Sequence, residues 1–138
     1  MSNKAIVLDA NILIRSVLGR RVNELILTNA AMINFFAPEA AFTEAAEHLP
    51  ALLKKRGATT SLIDPLETLK TVVLPLDLDF YVAMQQPALQ RIAMRDADDW
   101  LVLACAMVLG CPVWTEDTDF FGTGVATWTT DRVELYFA

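Results

Sequence analysis

The 138-residue sequence predicts an α/β fold in which a parallel sheet is covered by helices on both faces. Three observations predict it. Short continuous apolar runs, such as Ala5-Ile6-Val7-Leu8, have the composition of strands buried on both sides. These runs alternate with longer segments of helical periodicity. Hydrophobic residues make up 54% of the chain and charged residues 20%, which suits a packed core and excludes a disordered tail. No repeat, linker or low-complexity tract interrupts the pattern, so residues 1–138 are expected to form one domain.

The elements follow in order. Ala5–Leu8 is a predicted strand that ends at Asp9. Asn11–Leu18 is a helix with Ile12, Leu13 and Val17 facing the core, and Gly19 ends it. A second short helix follows over Val22–Thr28. Ile33–Ala37 is the second strand, closed by Pro38. Glu39–Lys55 has helical spacing, with Ala41, Ala45, Leu49 and Leu52 or Leu53 on one side. Its basic end, Lys54-Lys55-Arg56 before Gly57, suits the negative pole of the helix dipole.

The middle carries weaker signals. A short helix is expected around Leu66–Thr71 within the stretch that starts at Thr59, then a strand over Val72–Leu76 and a helix over Asp79–Gln90. Asp98–Leu109 is a strongly apolar helix with Gly110 in the stop position. Cys111–Thr115 is a further buried strand and Ala126–Thr129 the last one. Arg132–Tyr136 is a terminal helical turn.

The net charge of −6 argues against a protein that coats nucleic acid through a general basic surface. It is compatible with a nucleic-acid enzyme whose site is acidic because it holds metal. Two cysteines, Cys105 and Cys111, make no disulfide framework and suit a reducing cytosol. The apolar run before Asp9 is too short for a signal peptide or a spanning helix, as is Trp100–Leu109. A cytoplasmic protein with no membrane partner is therefore expected.

Ligands of parallel sheets sit beyond the carboxyl ends of the strands, which makes the acidic residues informative. Asp9 directly follows the first strand, and Asp117 stands two residues after the Cys111–Thr115 strand. Glu44 lies one turn into the helix after the second strand. Asp98 and Asp99 open the apolar helix. Four chain-distant segments thus bring carboxylates to one region, and Arg95 is the basic residue closest to them in sequence. Gathered carboxylates repel, and a divalent cation offsets that repulsion. Oxygen ligands suit Mg²⁺ or Mn²⁺ rather than zinc, and His48 is the sole histidine.

Each acid also has a plainer structural role. Asp9 and Asp98 suit N-caps, Asp99 suits a helix N-terminus, and Glu44 alone suits a solvated helix face. Thr115-Glu116-Asp117-Thr118-Asp119 alone suits a polar turn. Trp100, Trp114 and Trp128 suit the core. Only the joint placement favours chemistry.

Four segments together resemble a known family. Val7-Leu8-Asp9-Ala10-Asn11-Ile12-Leu13 resembles the opening motif of PIN-domain proteins, and Thr43-Glu44 their second acid. Asp99-Trp100-Leu101-Val102-Leu103-Ala104-Cys105-Ala106 with Leu109-Gly110 resembles their third motif. Val113-Trp114-Thr115-Glu116-Asp117-Thr118-Asp119-Phe120 resembles the fourth. The resemblance spans Ile6 to about Phe120, and the family includes the VapC-type toxins of bacterial toxin–antitoxin pairs. It implies a three-layer fold around four to five parallel strands and a metal-dependent ribonuclease. It places the metal-binding, catalytic acids at Asp9, Glu44, Asp99 and Asp117. Asp98 is the second choice for the third acid, and Asp119 and Asp96 are candidates for an outer shell. Asn11 and Thr115 match positions that support the acids by hydrogen bonding. A homodimer and a cognate antitoxin are implied as partners.

The implied reaction is hydrolysis of an RNA phosphodiester with Mg²⁺ or Mn²⁺, in which water attacks in line and leaves a 5′-phosphate and a 3′-hydroxyl. Arg15, Arg20, Arg21 and Arg95 are candidate RNA contacts, set against an ordinary role as solvated surface charge. Two alternatives stand beside this reading. One is a non-catalytic PIN-like binding or scaffold module. The other is a phosphoacceptor signalling domain, which wants adjacent acids near the first strand and a late lysine; no lysine follows Lys70.

Overall fold

The computed structural model describes residues 4–57 and 65–138. Five parallel strands form the sheet: β1 (Lys4–Leu8), β2 (Ile33–Pro38), β3 (Val73–Leu76), β4 (Val113–Trp114) and β5 (Thr127–Trp128). Their order across the sheet is β3-β2-β1-β4-β5. Helices α1 (Ala10–Leu18), α2 (Arg21–Asn29), α3 (Glu39–Lys55), α4 (Pro65–Leu69), α5 (Leu78–Tyr81), α6 (Gln85–Asp96), α7 (Trp100–Leu109) and α8 (Val133–Phe137) cover it. The expected three-layer α/β architecture is present.

Alternation along the strands divides the core in two. Ile6 and Leu8 of β1 face one layer with Phe35 and Trp114, where α1, α2, α3 and α8 pack. Val7 faces the other with Val113, where α6 and α7 pack. A strand with apolar residues on both faces fits only such a doubly covered sheet. Helix α7 is apolar all round, and Val102, Leu103, Ala104, Cys105 and Ala106 are consecutively buried. Gly110 ends it at φ +64°, and Cys111 N–H closes the turn on the Ala106 carbonyl at 3.1 Å.

Several expected boundaries shift. The helix expected over Asp79–Gln90 is two helices, α5 and α6, joined by a 3₁₀ turn over Val82–Met84. Pro87 accounts for the break: it fits the first turn of α6, where its missing N–H is not needed, and it disrupts a helix interior. Helix α6 then runs on to Asp96. The apolar helix begins at Trp100 rather than Asp98, because Ala97–Asp99 form a 3₁₀ turn. Asp96 caps that turn, its Oδ1 accepting from Asp98 N–H at 3.0 Å, while the N-cap position of the apolar helix falls at Asp99, without a side-chain bond, rather than at Asp98. The helix near Leu66 is Pro65–Leu69 and ends before Thr71; the Thr59 end of that stretch lies outside the described residues. Strands β4 and β5 are two residues each, shorter than their apolar runs. Trp114 is fully buried, Trp100 and Trp128 are partly so, and His48 is on the surface. No helix among the described residues is long and apolar enough to cross a membrane.

The sheet order has one consequence for function. The chain grows from β1 through β2 to β3, then returns to add β4 on the other side of β1. The carboxyl ends of β1 and β4 therefore lie side by side, with Leu8 paired to Trp114, at the point where the topology reverses. Such a point opens a crevice for ligands.

Candidate functional site

A cavity of about 390 Å³ opens at that crevice. Its lining includes Asp9, Glu44, Asp99 and Asp117, with Asn11, Asp96 and Asp98 beside them. All four acids expected to converge do line one space.

Asp9 sits at the corner where β1 becomes α1. Its Oδ1 accepts from Ile12 N–H at 3.0 Å, so it is the N-cap of α1. Its Oδ2 accepts from the Thr115 hydroxyl. The N-cap role and a place in the acidic cavity therefore coexist in this residue. Asp9 is only 8% exposed, and burial pushes its carboxyl up to about 6. The two hydrogen bonds pull the other way, and the charges of Asp117 and Glu44 add to the rise.

Thr115, fully buried just after β4, ties the two strand ends together. Its hydroxyl donates to Asp9 and accepts from Asp117 N–H at 2.9 Å. Asp117 Oδ1 in turn accepts from Asp119 N–H at 2.9 Å and starts a 3₁₀ turn over Thr118–Phe120. Glu116, between them, turns away and accepts from Thr130 N–H at 2.7 Å. Glu44 is exposed on α3, where small residues, Ala40 and Ala41, leave the cavity open. Asn11 is exposed on the first turn of α1.

Asp99 enters from the opposite side, at the start of α7. Its Oδ2 is buried and has no hydrogen-bond partner. Burial, then the charges of Asp96 and Asp117, a side-chain hydrogen bond with Asp117 and the charge of Asp9, push its carboxyl up to about 7. Asp96, Asp99 and Asp119 each present a carboxylate oxygen, and the three oxygens lie within 4.8 Å of one another. Asp96 and Asp119, expected at the periphery, therefore stand in the tightest grouping. The signals that could have found them are short spacings: Asp96 and Asp99 are three apart across a 3₁₀ turn, and Asp119 follows Asp117 by two. Asp98 also lines the cavity but lies outside that grouping.

No cation neutralises these acids among the described residues, where the ion pairs are Arg21 with Glu134 and Lys70 with Glu67. Arg21 is thus engaged elsewhere. Arg95 donates to the backbone carbonyls of Asp119, at 2.8 Å, and of Phe121. Arg15 and Arg20 are exposed on and just after α1. The apolar wall of the cavity, Leu101 and Val102, carried no signal that separates it from core.

The model of the PIN domain matches residues 7–138. The chain belongs to the PIN-domain family. PIN domains are typically nucleases and generally use a divalent metal. Solved structures similar to this PIN domain include FitAB bound to the IR36 DNA fragment, at 19% sequence identity and a TM-score of 0.55. That match covers 91% of this chain and 94% of the other, and it supports the shared fold. Among curated proteins, none matches the sequence.

The residues of this PIN domain fit a hard divalent cation. The grouped donors are all carboxylate oxygens, and Asp99, one of the three residues, has a buried Oδ2 without a hydrogen-bond partner. A buried carboxylate oxygen left unpaired is costly unless a cation or proton joins it.

Proposed function

We propose that this PIN domain is an endoribonuclease that depends on Mg²⁺ or Mn²⁺ and serves as the toxin of a type II toxin–antitoxin pair. The observation that carries the reading is the meeting of Asp9, Glu44, Asp99 and Asp117 in one cavity with no neutralising side chain among the described residues. These four would hold the ion, with Asp96, Asp98 or Asp119 as further ligands. A divalent cation bound there supplies a water of lowered pKa and offsets charge on the phosphoryl oxygens.

The side chains of the chain itself do the positioning. Thr115 and the Ile12 N–H orient Asp9, so that its lone pairs not used by those two bonds face the cavity. The wall of Leu101 and Val102 limits water on the side of Asp99. Arg15 and Arg20, exposed on and just after α1, are the candidate contacts to the RNA backbone. Water attacks phosphorus, the bond to the 3′-oxygen breaks, and the products carry a 5′-phosphate and a 3′-hydroxyl. The RNA 2′-hydroxyl takes no part. A single domain, a cytoplasmic location, a homodimer and an antitoxin that covers the cavity complete the proposal.

The test is cleavage of single-stranded RNA by the purified chain with Mg²⁺ or Mn²⁺ and with EDTA. Asp9→Asn and Asp117→Asn are expected to lose ~10³-fold or more in rate. Wild-type rates in both variants refute the site. Co-purification with the product of the adjacent reading frame tests the toxin assignment separately.

A further inference from the structure

We infer that Arg95, seconded by Arg91, is a positioning residue of the acidic site: the two arginines grip the backbone of the loop that carries Asp117 and Asp119. The inference rests on the metal-bearing reading of the cavity. Both arginines lie on α6, four residues apart and so on one face. Arg95 Nη1 donates to the carbonyl of Asp119 at 2.8 Å and to that of Phe121, and Arg91 Nη1 donates to that of Thr123 at 3.1 Å. The acceptors are alternate residues of one stretch, so the two side chains hold it along its length.

The loop is shaped for this approach. Gly122 and Gly124 have φ of +84° and +88°. A Cβ at Gly122 would stand 3.3 Å from Arg95 Nη2, and one at Gly124 would stand 3.0 Å from Arg91 Nη1. Both glycines therefore leave room for a guanidinium against the backbone, in a conformation that side chains disfavour. Hydrogen bonds from guanidinium to carbonyl are charge-assisted and stronger than neutral ones.

The grip reaches the acids through the backbone. Asp119 N–H donates to Asp117 Oδ1 at 2.9 Å, and the Asp119 carboxylate lies within 4.8 Å of those of Asp96 and Asp99. Arg95 immediately precedes Asp96, so the end of α6 fixes one acid directly and another through the loop. The guanidinium is spent on neutral carbonyls, since Arg95 forms no ion pair among the described residues. It therefore places the carboxylates without occupying them. The arginine expected from sequence as a candidate RNA contact thus also has a structural partner.

The experiment measures Mn²⁺ affinity by electron paramagnetic resonance on the full chain, with thermal melting alongside. The variants are Arg95→Ala, Arg95→Lys and Arg91→Ala. Loss of a residue that orients metal ligands weakens metal affinity by ~10- to 100-fold. Arg95→Ala is expected to fall in that range while the protein stays folded, with partial recovery in Arg95→Lys. Arg91→Ala, which holds the far end of the loop, is expected to lose less. Unchanged Mn²⁺ affinity in Arg95→Ala overturns the inference and leaves the nuclease reading intact. Affinity lost only in step with folded protein overturns it too, since Arg95 is then merely structural. A wild-type chain that binds no Mn²⁺ overturns both.

Discussion

Replacing Asp9 by Asn is expected to stabilise the metal-free protein while it abolishes activity. The folded Asp9 carboxyl is pushed from its ordinary 3.8 up to about 6, a rise of roughly two units. At ~1.4 kcal/mol per unit, the ionised side chain costs the folded state about 3 kcal/mol at pH 8. The direction follows from proton binding. Between about pH 4 and pH 6 the folded protein holds a proton that the unfolded chain releases. The contribution of Asp9 to stability is therefore full below pH 3.8 and lost as pH rises through 6. Asparagine carries no charge at any of these pH values. Its Oδ1 can still cap Ile12 N–H, and its Nδ2 can donate to Thr115 Oγ1, which keeps a second lone pair for Asp117 N–H. Thermal melts of both proteins in EDTA, from pH 4 to pH 8, are the assay. Asp9→Asn is expected to match the wild type near pH 4 and to melt about 10 °C higher at pH 8. Saturating Mn²⁺ narrows or reverses the difference, because only the wild type binds the ion well. A variant that melts lower than wild type in EDTA at pH 8, or a gap that does not change with pH, refutes the claim that this carboxylate is held at a cost.

Three further outcomes are expected. Thr115→Val leaves a buried Asp9 oxygen and Asp117 N–H without partners, and is expected to cost ~2–3 kcal/mol in urea denaturation; a loss under ~0.5 kcal/mol counts against Thr115 as the tie between strand ends. Glu44→Gln alters an exposed residue, so its melting temperature is expected to stay within ~2 °C while Mn²⁺-dependent cleavage drops; retained cleavage removes Glu44 from the site. Gly110→Ala meets no atom within 4 Å, yet its φ of +64° predicts a loss of ~1 kcal/mol from backbone conformation alone, and unchanged stability would argue against the left-handed cap.

The sheet was legible because its strands are buried on both faces. Ala5–Leu8 is a continuous apolar run and Ile33–Ala37 one interrupted only by Asn34, and each ends at a residue that stops a strand or begins a helix. The order of strands was not: nothing local to Val113-Trp114 says that it returns to pair with β1 rather than extending beyond β3. That choice is made by tertiary packing, through α7, whose all-round apolar surface must lie between α5, α6 and the sheet. Boundaries failed where side chains compete for backbone donors. Asp96 captured Asp98 N–H and tightened the residues before Trp100 into a 3₁₀ turn, a contest that composition does not reveal.

The same reasoning explains which acids could be placed from sequence. Asp9 and Asp117 were fixed by strand ends, so a correct sheet positions them without knowledge of any side chain. Asp119 and Asp96 depend on turn geometry, on Asp119 N–H closing onto Asp117 and on α6 running to Asp96, neither of which a strand pattern encodes. Burial raises the Asp99 carboxyl to about 7, and the charge of Asp96 adds to the rise. A fold under selection for stability alone would relieve this with an arginine, and Arg95 is within one residue of doing so. Its guanidinium bonds instead to the carbonyls of Asp119 and Phe121. The acids are thus kept close by the same helix, without an ion pair among the described residues. That arrangement disfavours several ionised carboxylates side by side, and it supports the proposal that a doubly charged ion joins them.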